Sequence, residues 1–122
     1  MNNIGSTGEV KFLDRNPPNF PEDEARRIAA ETFGFDGEFK TLISERDQNF
    51  RVTTAKGERF VFKIANRDED PGVVDLQVRG LLHVERTDPM LPVPHIHRTR
   101  SGEPYGWTEA PDGSRHVLRA VT

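Results

Sequence analysis

Cysteine is missing from this chain of 122 residues, which excludes disulfides and thiolate zinc sites and is compatible with a cytoplasmic setting. No apolar run approaches membrane-spanning length, and the first residues lack the basic-then-apolar form of a signal peptide, so no membrane partner is expected. Charge of one sign is not in excess either. The net charge is −3 with both signs interspersed, which argues against nucleic acid as a partner. Internal repeats and low-complexity segments are absent. The histidines are scattered: His95 and His97 share a strand face with no third metal ligand in sight, and His83 and His116 are isolated. No Ser-His-Asp arrangement is evident.

What is present is a polar chain around a thin core, with 34% hydrophobic and 30% charged residues. The length fits one domain and is small for a complete enzyme. Residues 1–18 are aperiodic and read as a flexible arm, anchored at most by Val10, Phe12 and Leu13; residues 19–122 read as the folded unit. A first helix is predicted from Pro21 to Phe33. Proline suits its first position, Glu22, Asp23 and Glu24 complement the dipole, and Gly34 offers a left-handed stop. Ala25, Ile28, Ala29, Thr32 and Phe33 share its packing face.

A meander of three strands follows: one around Phe39, Leu42 and Ile43, one from Phe50 to Thr54, and one from Arg59 to Ala65. Turns near Ser44–Gln48 and Ala55–Glu58 join them, Gly57 supplying a positive φ. A second helix is predicted from Pro71 to Arg86, capped by Asp70 and stopped by Thr87-Asp88-Pro89. Its face toward the sheet is read as Val73, Leu76, Gln77, Gly80, Leu81 and Val84, with Asp75 and Leu82 pointing away. Short strands near Tyr105–Glu109 and Arg115–Val121 complete an antiparallel α+β fold. The chain stops at the end of a strand, which reads as a cut inside a longer protein.

Lys63 is the informative residue. Removing an ammonium from water is costly, so a lysine between Phe62 and Ile64 in an apolar strand suggests an anion nearby. A solvent-seeking lysine on an edge strand is the plain alternative.

Ser44-Glu45-Arg46-Asp47-Gln48-Asn49-Phe50, Phe60-Val61-Phe62-Lys63-Ile64-Ala65-Asn66 and Leu91-Pro92-Val93-Pro94, in that order, resemble the aminoglycoside phosphotransferase family, and within it the choline and hydroxylysine kinase-like branch. The resemblance covers roughly residues 21–122 and implies a protein-kinase-like N-terminal lobe: a five-stranded antiparallel sheet, one helix packed across it and an N-terminal helix. It implies that Lys63 contacts the α- and β-phosphates of ATP and that Val61 lies against adenine. It further implies that Ser44, Arg46, Asn49 and Phe50 belong to a turn closing over the phosphates. That turn has no glycine, unlike the Gly-rich loop of protein kinases. Where a kinase helix carries a glutamate for the strand lysine, this chain has Gln77.

The resemblance implies phosphoryl transfer from ATP to a hydroxyl of a small amine or sugar-like acceptor in a full-length parent. Magnesium would be held by a C-terminal lobe, because no His-x-Asp loop and no catalytic residue occur in these 122 residues. The fragment alone is expected to be inactive, and an open apolar floor beneath Lys63 and Val61 is expected to favour a homodimer. The alternative is a non-catalytic α+β binding or regulatory module of a larger protein, such as the aminotransferase fusions of this branch.

Overall fold

Pro21 stands one residue earlier in the first helix than the sequence suggests: it is the N-cap, in extended backbone with ψ 152°, and its carbonyl accepts the first helical bond from the Ala25 N–H. The computed structural model describes residues 18–122, so the arm expected at residues 1–18 lies almost wholly outside the described range. Helix α1 runs Glu22–Phe33, and Gly34 ends it in the left-handed region at φ 76°, its N–H returning to Ala30 O. The strands are β1 (Gly37–Leu42), β2 (Gln48–Thr54) and β3 (Arg59–Ile64). Helix α2 (Pro71–Thr87) follows, then β4 (Gly106–Glu109) and β5 (Arg115–Val121). The Asp70 carboxylate caps α2 by accepting from the Gly72 N–H at 2.8 Å.

All strand pairings are antiparallel and the order across the sheet is β1-β2-β3-β5-β4. The expected α+β architecture, with five strands and two helices, is the one observed. Period-two alternation decides which side each residue serves. Phe60, Phe62 and Ile64 of β3, Phe50 and Val52 of β2, and Leu118 and Ala120 of β5 pack with Ala25, Ile28, Ala29 and Phe33 of α1. Burial of each large apolar side chain there contributes about 1.5–3 kcal/mol. A smaller cluster on the other side joins Val117 to Val74 and Val78 of α2, with Ile96 and Ala65. The two helices therefore lie on opposite faces of the sheet.

Three sequence expectations shift. Strand β1 ends at Leu42, leaving Ile43 wholly exposed. Helix α2 is rotated from the predicted orientation: its fully buried residues are Val74 and Val78, with Leu81 and Leu82 packed beside them, while Val73 and Leu76 are exposed. Both stripes have helical spacing, and the contact is narrow. Val117 and Val121 of β5, with Ala65, Ile96 and Tyr105, make the surface that meets the helix, so two valines fill the contact and the longer stripe stays outside. Third, Asp75 does not point away from the fold. It accepts a hydrogen bond from the Tyr105 hydroxyl at 3.0 Å.

Candidate functional site

The face of the sheet that carries Lys63 follows from the ladders. Phe62 and Ile64 belong to the α1 side, so Val61 and Lys63 alternate onto the α2 side. Across the sheet, Asn49 pairs with Lys63 and Lys63 with Arg119, forming one row; Lys40, Arg51, Val61 and Val121 form the next. Lys40, Arg51, Lys63 and Arg119 thus project on one face, and none of them has a carboxylate within ion-pair distance among the described residues. A chain of net negative charge gathers uncompensated cations on a sheet face that α2 covers only at its β5 side. Such a face attracts anions.

Lys63 is half-buried, with Asn49 on one flank and Arg119 on the other. Gln77, exposed on α2, accepts a hydrogen bond from Arg119 Nη1 at 3.2 Å. The Gln77 amide, expected from the resemblance to face Lys63, therefore holds Arg119 instead. Two polar atoms in the row are buried without partners, Asn49 Oδ1 and Arg119 Nε. Buried polar groups are nearly always satisfied, so unsatisfied ones beside a lysine call for an explanation.

The turn between β1 and β2 stands at the same end of the sheet, because Gln48 pairs with Ile64 and Asn49 with Lys63. Ser44 Oγ accepts from the Asp47 N–H at 3.2 Å, which leaves the hydroxyl proton free to donate outward. Asp47 Oδ1 accepts from the Asn66 N–H at 3.3 Å, tying the turn to the end of β3. The turn is thus fixed beside Lys63 without glycine. Arg46 and Asp47, a pair the sequence allows, do not bond; Arg46 stays exposed.

Phe50 is the site residue that the structure removes. It is only 1% exposed, on the α1 side, with its ring stacked near Phe62, so it cannot touch a ligand on the Lys63 face. Counting from the turn could not reveal this; counting alternation from Lys63 through the β2–β3 register does. The expected apolar floor is mixed. Val61 lies between Arg51 and Val121, while Asn49 and Arg119 flank Lys63. The large exposed apolar side chains, Ile43, Val73, Leu76, Met90, Leu91 and Trp107, stand outside these rows.

The histidines also resolve. His97 lies among Phe33, Phe35 and Phe60, its ring 4.6 Å from that of Phe60. Sequence reading missed the buried His116, which stands in a hydrogen-bonded chain: Asp112 Oδ1 accepts from Ser114 Oγ at 2.6 Å, and Ser114 Oγ meets His116 Nε2 at 2.9 Å. The carbonyl of Ala65 holds His116 Nδ1 at 2.8 Å. The carboxylate thus binds the serine and not the imidazole, the wrong order for activating a nucleophile. The bond from Ser114 Oγ, and then that from its N–H, hold the Asp112 carboxyl below its ordinary value. Among the described residues, no three of His, Asp and Glu come together to hold a metal ion. Two clefts of about 740 and 670 Å³ open elsewhere, one around Tyr105 and Arg79 and one around Phe20 and His116.

Among solved structures the chain resembles two kinases. It matches amicoumacin kinase hAmiN, solved in complex with AMP-PNP, Ca2+ and Ami, at a TM-score of 0.67 and 18% identity, over 93% of this chain and 32% of that one. It matches a microcompartment-associated aminopropanol kinase at a TM-score of 0.62 and 17% identity, over 84% of this chain and 31% of that one. These likenesses show the fold, that of a kinase-like N-terminal lobe. The chain spans about a third of the length of either kinase. No protein-family model and no curated protein matches it.

Proposed function

We propose that this chain is the ATP-binding N-terminal lobe of a small-molecule kinase that phosphorylates a hydroxyl of a small amine or sugar-like acceptor. The observation that carries the reading is Lys63, half-buried on a cationic sheet face that α2 covers only at its β5 side, beside a turn fixed at the end of its strand, in a fold shared with two small-molecule kinases.

The residues fit a nucleotide. Val61 and Val121 make the apolar part of one row, suited to the adenine ring, while Asn49, Lys63 and Arg119 make the next, suited to phosphates. Same-face neighbours along a strand stand roughly 7 Å apart, so ring and phosphates are separated along β3. Lys63 supplies a point charge, and the free Ser44 proton supplies a donor from the turn. A kinase also needs a carboxylate to orient the acceptor and acids for magnesium. We assign both to the remaining length of a full kinase, since the described residues bring no such cluster together.

Equilibrium titration of ATP into the chain tests this reading: weak binding, lost in Lys63→Ala, supports it. A second reading, a non-catalytic docking module, is favoured by exposed Val73 and Leu76 on α2. ATP affinity unchanged by Lys63→Ala would favour that module.

A further inference from the structure

We infer that Arg119 is a second phosphate-binding residue, forming with Lys63 a two-cation clamp for adjacent phosphates of a nucleoside di- or triphosphate, and that Gln77 positions Arg119. The inference rests on the ATP-binding reading and adds to it a residue and a selectivity.

Three observations converge. First, Lys63 and Arg119 are direct partners in the β3–β5 ladder. Directly opposite side chains start about 5 Å apart, and like charges so placed repel each other. Neither finds a carboxylate among the described residues, so the sheet keeps a repulsive pair that an anion between the two would relieve. Second, the guanidinium is held and yet unfinished. Nη1 donates to Gln77 Oε1 at 3.2 Å, while Nε is buried without a partner. A planar fork fixed at one corner presents its remaining N–H groups in a set direction, the geometry that matches phosphate oxygens. Third, the holder is an amide. A glutamate at this position would orient Arg119 equally well but neutralise it; glutamine orients it and leaves the charge for the ligand.

Selectivity follows. A ligand with one phosphate engages one cation well, whereas two linked phosphates reach both. Removing Arg119 should therefore cost more for ADP and ATP than for AMP. Gln77 acts only through Arg119, so adding charge there should stabilise the empty chain and weaken the loaded one.

The test is equilibrium binding of AMP, ADP and ATP at low salt to the whole 122-residue chain, in wild type and in Lys63→Met, Arg119→Gln, Arg119→Lys and Gln77→Glu, with melting temperatures beside the affinities. Lys63→Met should weaken all three nucleotides. Arg119→Gln should weaken ADP and ATP about tenfold or more, as expected for loss of a charge-assisted hydrogen bond, with AMP little changed. Arg119→Lys should recover part of the loss. Gln77→Glu should melt higher without ligand and bind ATP more weakly. If Lys63→Met weakens binding but Arg119→Gln binds ATP as wild type does, the clamp is overturned and the ATP site stands. An equal loss for all three nucleotides in Arg119→Gln marks a structural arginine and overturns the clamp too. Tighter ATP binding in Gln77→Glu overturns the positioning role. Absence of ATP binding in wild type removes the site and the clamp together.

Discussion

The Tyr105 hydroxyl donates to Asp75 Oδ1 at 3.0 Å, joining the segment before β4 to helix α2. Arg79 Nε occupies the other carboxylate oxygen at 2.8 Å. Bonding by Arg79 first, and by Tyr105 second, holds the Asp75 carboxyl below its ordinary value. Burial first, and then Asp75, hold the Tyr105 phenol above its own.

Opposite pH dependences follow from these two groups. A carboxyl depressed in the folded state contributes stability above about pH 4, lost as pH falls through its folded value. A phenol raised in the folded state contributes below about pH 10, lost as pH rises through its folded value. Asp75→Asn should therefore flatten the acid limb of a melting-temperature profile, and Tyr105→Phe the alkaline limb. A Tyr105→Phe profile as steep as wild type at high pH would show that the bond contributes nothing in solution.

The rotation of α2 is tested by two truncations. Val74 is fully buried, so Val74→Ala should cost about 2 kcal/mol through two lost methyl groups and the cavity left behind. Leu76 is 73% exposed, so Leu76→Ala should stay within about 0.5 kcal/mol. The reverse order in urea unfolding would restore the stripe expected from the sequence.

Gly37 begins β1 where a Cβ would overlap the Thr53 carbonyl oxygen of β2. That oxygen belongs to the backbone and has no flexible end to swing away. Gly37→Ala should destabilise the chain by about 1–3 kcal/mol as strand and neighbour separate. A variant that melts like wild type would show that the strand start relaxes freely.

Phe50 separates packing from binding. Phe50→Leu should lower the melting temperature, because a ring in the α1-side core is lost, and leave ATP affinity at the wild-type value. An affinity that falls while the fold holds would return Phe50 to the ligand face.

Much of the fold was legible in the chain, because the signals that set it are local. Pro21, Gly34, Asp70 and Gly57 mark helix ends and a turn by their own backbone preferences, and the structure uses each of them there. The alternation of Phe60, Phe62 and Ile64 against Val61 and Lys63 also gave β3 its two faces. The orientation of α2 was not legible, since Val73-Leu76 and Val74-Val78 are both apolar at helical spacing and only the width of the contact chooses between them. The site was half legible. Lys63 is conspicuous inside its strand, but the other cations of its face come from β1, β2 and β5, and only the register between strands sets Arg119 in its row and Lys40 and Arg51 in the next. Reading every strand at period two would have raised the possibility; pairing settles it. Asp112, Ser114 and His116 stand two residues apart and so were within reach of the sequence; the long-range part is the anchoring of His116 by the carbonyl of Ala65, 51 residues away.

The most direct test of the central claim is to map ATP onto the chain by amide chemical-shift changes. Shifts should concentrate at Ser44–Arg51, Val61–Ile64 and Arg119–Val121, with helix α1 unmoved, and should vanish in Lys63→Ala. Shifts confined to α1, or to the cleft around His116, or none at saturating ATP, would contradict a nucleotide-binding lobe.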